Sequence, residues 1–233
     1  MNAGSAAAGA TAGTGASAAA APVPLDAACP DGGGLRAQFR LPRGLGGRIA
    51  GLLMAVKNRS MGLAALDALD LPPGARVLEI GFGPGVVLEA LVRRPEVARI
   101  AGIDPSELML ARAGRRCRND AARGRVDLRL GVAEALPWPD ASFDRALAVN
   151  SFHLWSDPQA GLGELRRVLT TGGRVVLGLR VALPEARRLA SPGLTDEQIA
   201  RVPPLLVAAG FRDVYVERRS VGSREAAIVG AAC

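Results

Sequence analysis

Histidine, lysine and aromatic residues are scarce in this sequence. Its 233 residues include one histidine, one tyrosine, two tryptophans and five phenylalanines. A lone histidine, His153, argues against a His-based metal site, and no metal is expected. The three cysteines, Cys29, Cys117 and Cys233, are scattered and show no C-x-x-C spacing. That pattern argues against a disulfide framework or a zinc site and fits a reducing, cytoplasmic compartment. No apolar run reaches the ~18 residues that a membrane span needs. With aromatics at 3% and apolar residues at 49%, the core must be mostly Leu, Val, Ala and Ile.

Positive charge is plentiful, but it is arginine. Of 29 basic residues only Lys57 is lysine, and the net charge is +7. The joint excess of Arg, Ala and Gly reads as a GC-rich coding bias. A nucleic-acid surface is the functional alternative. The densest basic stretch, Arg112 to Arg129, holds no aromatic residue on which a base would stack, which weighs against nucleic acid.

Residues 1–34 are low in complexity, chiefly Ala and Gly, with no charge before Asp26. They lack the basic and apolar regions of a secretory signal and the arginines of a mitochondrial presequence. Such a stretch cannot bury enough surface to offset its ordering entropy, so a disordered tail is expected. Residues 35–73 read as an N-terminal helical segment. Ile49, Leu52, Leu53 and Val56 share one helix face, and Leu63, Leu66 and Leu69 recur every three residues. A break is expected near Asn58-Arg59-Ser60, and Pro72-Pro73-Gly74 ends the segment. Residues 74–233 form the remaining domain.

That domain is organised around Val77 to Leu91, V-L-E-I-G-F-G-P-G-V-V-L-E-A-L. An apolar strand stops at glycines 81, 83 and 85, and an apolar-periodic helix starts at once. Glycine there permits positive φ and close approach of a ligand. A dinucleotide fingerprint would place its third glycine at position 86, which is Val86. With no Tyr-Lys pair, a nicotinamide-dependent oxidoreductase is disfavoured. A second strand, Ala98 to Asp104, ends in a carboxylate 19 residues beyond Gly85, where a doubly wound fold puts the acid that accepts ribose hydroxyls. Asp104-Pro105-Ser106-Glu107 also reads as a helix start, and the two readings are compatible.

Further elements follow in order. Leu108 to Asn119 is helical, Arg125 to Leu130 is a third strand, and Arg145 to Asn150 is a fourth. Asp157 to Leu169 is a helix and Val175 to Val181 a strand. Thr195 to Ala209 is helical with a break at Pro203-Pro204. Val214 to Glu217 and Ala226 to Val229 form a closing antiparallel hairpin.

The spacing E-x-G-x-G-x-G at 79–85 resembles the first motif of class I S-adenosylmethionine (SAM)-dependent methyltransferases. Leu136-Pro137-Trp138-Pro139-Asp140-Ala141-Ser142-Phe143-Asp144 resembles the family's L-P-F-P-D-x-S-F-D loop, and residues 167–174 resemble its R-V-L-K-P-G-G-R turn. The nearest likeness is to small bacterial enzymes similar to the ubiquinone/menaquinone-biosynthesis methyltransferases. The resemblance implies a Rossmann-like, doubly wound, seven-stranded α/β sheet, mostly parallel with the last strand antiparallel, and helices on both faces. It implies SAM as cofactor, S-adenosylhomocysteine as product, and a small-molecule acceptor methylated at O, N or C. A homodimer is compatible with it.

The cofactor residues so implied are Glu79, Gly81, Gly83, Gly85, Asp104, Pro105, Met109, Val132, Ala133, Glu134, Asn150 and Ser151. The family's usual acidic residue in the adenine turn is Val132 here, so the adenine amine lacks its expected acceptor. The substrate pocket is expected to draw on Asn58, Phe152, His153, Trp155 and Arg180, with His153 as candidate general base or as a structural residue. Asn150-Ser151-Phe152-His153 is not the N-P-P-Y motif of nucleobase amino-methyltransferases. Two alternatives stay open: a SAM-binding protein without catalysis, suggested by Val132, and an RNA or protein methyltransferase, suggested by the net charge.

Overall fold

The computed structural model describes Met1 and residues 59–182, 193–222 and 224–233. The rest of the 1–34 tail, the helical face at 49–56 and Asn58 lie outside the described residues. No helix among the described residues is long and apolar enough to cross a membrane.

Seven strands form one sheet in the order β3-β2-β1-β4-β5-β7-β6. They are β1 (Ala75–Ile80), β2 (Val97–Asp104), β3 (Val126–Leu130), β4 (Phe143–Val149), β5 (Leu169–Arg180), β6 (Arg212–Val221) and β7 (Arg224–Ala232). The first five pair in parallel, and β7 runs antiparallel to both β5 and β6. Among the described residues six helices connect them: α1 (Val86–Val92), α2 (Glu107–Arg116), α3 (Arg118–Ala122), α4 (Pro158–Val168), α5 (Asp196–Ala200) and α6 (Val202–Ala208). The expected doubly wound class is the one observed.

Apolar residues alternate between the two faces of the central strands, as a sheet covered on both sides requires. Leu78, Ile80, Ala146, Ala148, Val175, Leu177 and Val229 join α4, α5 and α6 through Leu162, Leu165, Ile199 and Leu206. Val77, Ile100, Leu147, Val176 and Ile228 join α1 and α2 through Leu88, Leu91, Met109 and Ala113. Helical residues 59–67 cover this second face, adding Met61, Ala65 and Leu66. By the same alternation Glu79 of β1 and Asp104 of β2 fall on the second face, under α1 and α2.

Several boundaries differ from expectation. β5 begins at Leu169 rather than Val175, because the turn is drawn into the sheet. The Gly172 N–H donates to the Cys233 carbonyl at 3.3 Å, and the Cys233 N–H donates to the Gly173 carbonyl at 2.8 Å. The expected 108–119 helix divides at Cys117 into α2 and α3. The helical break after Thr195 falls at Arg201, and Pro203 and Pro204 sit in the first turn of α6, where a missing N–H costs little. The closing hairpin is longer than expected, pairing from Arg212↔Ala232 to Val221↔Arg224.

Candidate functional site

At the C-terminal end of β1 the chain reverses through the glycine turn. Gly81 has φ 71° and its N–H donates to the Ile103 carbonyl of β2 at 2.7 Å. A side chain at Gly81 would place its Cβ 2.4 Å from the Ser151 Cβ, so only glycine admits the β4 turn this close. Ser151 is itself buried, and its hydroxyl donates to the Ile80 carbonyl at 2.7 Å. Gly83, at φ 53°, differs from Gly81: nothing lies within 4 Å of where its Cβ would be. Gly85 packs its Cα against Ala113 of α2 and caps α1.

Asp104 is the brace of this turn. Its Oδ2 accepts the Gly83 N–H at 2.8 Å, and its Oδ1 accepts the Ser106 N–H at 2.9 Å. Each oxygen keeps one further lone pair. Burial raises the Asp104 pKa above the ordinary carboxylate value, outweighing the two N–H donors that lower it. Ser106, within the helix start expected at 104–107, caps α2 by accepting the Met109 N–H at 3.4 Å. Met109 is buried, and Pro105 is exposed at the rim.

Glu79 is 2% exposed, and its Oε2 meets no hydrogen-bond partner. It pairs in register with Gly102, two residues before Asp104 on the neighbouring strand. Burial, and then the like charge of Asp104, push its pKa well above the ordinary value. Two carboxylates thus converge on one glycine turn. That setting repels a pyrophosphate and suits a ligand bearing hydroxyls and a cation.

Beyond β4, Asn150 adopts φ 53° and donates its N–H to the Gly178 carbonyl at 2.7 Å, while its buried Oδ1 meets no partner. A 3₁₀ turn, Phe152–Leu154, follows. Phe152 is fully buried and contacts half-buried Trp155 edge-on, with ring centroids 4.9 Å apart. His153 is half-buried between them in sequence. Arg180, the last residue of β5, is 7% exposed, and burial, then Arg224, lower its pKa.

The turn after β3 closes the other side. The Gly131 N–H donates to the Asp104 carbonyl at 3.1 Å. Val132 is exposed and Ala133 buried. Glu134 turns toward the start of α4, where its Oε1 accepts the Asp157 N–H at 3.0 Å. The ends of β1, β2, β3 and β4 therefore bring together the glycines, Glu79, Asp104, Asn150 and Ser151, while Arg180 stands one strand further along. Asn58 lies outside the described residues. Among the described residues no group of three or more His, Cys, Asp or Glu could hold a metal ion.

The methyltransferase domain family matches residues 78–177. The chain is 29% identical over 173 residues to the uncharacterized methyltransferase YdaC of Bacillus subtilis, covering 74% of this chain and 91% of that protein. It is 35% identical over 124 residues to the ubiquinone/menaquinone biosynthesis C-methyltransferase UbiE of Geobacter sulfurreducens, covering 53% of this chain and 48% of UbiE. It thus spans about half the length of that relative. In fold it is similar to a SAM-dependent methyltransferase from Aquifex aeolicus, with TM-score 0.59 at 24% identity over 74% of this chain and 89% of the other.

Proposed function

We propose that the chain, whose residues 78–177 match the methyltransferase domain family, is a class I SAM-dependent methyltransferase that methylates a small-molecule acceptor by direct in-line displacement. The observation that carries the cofactor side is the pair of buried carboxylates, Glu79 and Asp104, flanking a glycine turn with open space at Gly83. An orphaned buried oxygen on Glu79 fits an ammonium group, and the spare lone pairs of Asp104 fit a ribose diol. In this reading Gly81, Gly83 and Gly85 lie under the methionine part and ribose, with Pro105 and Met109 at the ribose edge. Asn150 and Ser151 border the same crevice. Adenine lies against Val132 and takes the Ala133 N–H. Glu134 contributes less than its position suggested, because one oxygen is committed to Asp157.

When bound, SAM supplies a methyl carbon made electrophilic by its sulfonium. The chain's own task is to hold an acceptor atom in line at about 3–3.5 Å and to exclude water. Positioning of that kind is worth on the order of 7–11 kcal/mol of barrier. Phe152 and Trp155 offer an apolar wall, and Arg180 extends the acceptor side. Helical residues 59–67 border the crevice on this face. That placement is supported by Met61 and Ala65, which pack on Gly178 near the ligand end of β5. Leu69, by contrast, meets Arg145 at the opposite end of β4.

His153 accepts the proton lost by a hydroxyl or amine acceptor. His153→Ala should slow turnover by roughly 10²–10⁴-fold while leaving S-adenosylhomocysteine affinity unchanged; unaltered turnover removes His153 from the chemistry. The reaction itself is tested by S-adenosylhomocysteine release against a metabolite panel. Acceptor-dependent release supports the reading. Tight binding of S-adenosylhomocysteine with no release for any acceptor favours a SAM-binding protein without catalysis.

A further inference from the structure

Glu79 is a carboxylate in an unusual position even for a binding site. Its Oε2 is sealed from solvent and makes no hydrogen bond, so the ionised side chain would sit in a poorly solvating environment with one oxygen unsatisfied. Asp104 cannot relieve it. Both Asp104 oxygens already accept backbone N–H groups, and its charge has the same sign. Among the described residues, Asp104 is the one charged group whose influence on Glu79 is resolved, and no cation offsets it, Arg59 and Arg112 on the neighbouring helices included. From the α2–α3 junction comes the Cys117 thiol, which burial and then the charge of Glu79 hold up at about 11, so it stays neutral. From α1 comes Glu89, whose carboxylate is engaged by Arg93 and Arg116. From the β4 turn come uncharged Asn150 and Ser151, with His153 as that turn's one titratable group. The glycine turn itself carries no charge from Gly81 to Gly85.

We propose that Glu79 holds a proton while no ligand is bound, and that a ligand bearing a cationic ammonium expels it, so that cofactor uptake is coupled to proton release. This rests on the reading of the crevice as the SAM site. In the exchange the Glu79 O–H bond breaks and the proton goes to solvent. The ammonium keeps its own protons and becomes the counter-ion of the new carboxylate, and nothing is oxidised or reduced. The linkage has a fixed sign: between the bound-state and free-state pKa of Glu79, affinity rises up to tenfold per pH unit, and above the free-state value it is flat.

The test is calorimetric titration of the full chain with S-adenosylhomocysteine in two buffers of different ionisation enthalpy, repeated from pH 5 to 7. The expected result is release of up to one proton per site, with affinity that strengthens as pH rises. Glu79→Gln should bind without that release and with nearly flat pH dependence. 5′-Methylthioadenosine, which lacks the ammonium, should release no proton from the unaltered protein, and this arm stands even if the variant fails to fold. Binding of S-adenosylhomocysteine without proton release overturns the proposal and leaves the cofactor assignment standing. Equal release by Glu79→Gln assigns the proton elsewhere and also overturns it. No binding at any pH overturns both.

Discussion

Two carboxylates carry this account, and they behave differently because of what each one touches. Asp104 holds two backbone N–H groups, so replacing it by asparagine turns one oxygen into a donor facing a donor. Asp104→Asn should weaken S-adenosylhomocysteine binding by roughly tenfold or more, through the lost charged acceptor and the loosened turn. Titration calorimetry measures this, and unchanged affinity takes Asp104 away from the ribose. Glu79 has a consequence for stability as well as for binding. Its folded-state pKa is raised by burial and by Asp104, so the stability it leaves intact is full below the unfolded-state value. That stability is lost as pH climbs toward the folded-state pKa. Glu79→Gln should therefore melt higher than the unaltered protein at pH 7 in the absence of ligand, with the gap closing toward pH 4. Thermal melts across that range check it; a variant that melts lower at pH 7 contradicts the sign.

At the level of elements, the β1–α1 turn separates folding from binding at two neighbouring glycines. Gly81→Ala drives a Cβ to 2.4 Å from Ser151 and should destabilise the protein severely. Gly83→Ala meets nothing within 4 Å, so the cost to folding is that of a left-handed alanine, about 1–2 kcal/mol. Its methyl group points into the unfilled space that the cofactor is proposed to occupy. The melting temperature of Gly83→Ala should fall by a few degrees while S-adenosylhomocysteine affinity drops strongly; intact affinity would place the ligand elsewhere. Elements of this kind were legible in the sequence because strand periodicity, turn glycines and a carboxylate at the strand end all act locally. The start of β5 was not, since Leu169 to Gly173 join the sheet only through Phe143 and Cys233, distant in sequence. Nor was the split at Arg201, because Pro203 and Pro204 mark a helix start as readily as a break. The second hydrogen bond of Asp104 and the turning of Glu134 toward Asp157 likewise depend on tertiary placement.

Across the whole molecule, a sheet packed on both faces fixes the ends of β1, β2 and β4 side by side, and the two buried carboxylates are held there against their own electrostatic preference. The acceptor side was less legible for a physical reason. Arg180 and the turn after β4 come from distant parts of the chain, and no fixed spacing links them. The positive charge is likewise spread over the surface, much of it already paired with neighbouring carboxylates, as Arg76 is with Asp144 and Arg167 with Asp140 and Glu164. The most direct measurement is a crystal structure of the chain with S-adenosylhomocysteine. The expected placement puts the ribose hydroxyls on Asp104 and the amino group at Glu79, above Gly83. A ligand bound elsewhere, or one that leaves both carboxylates with only their present partners, contradicts it.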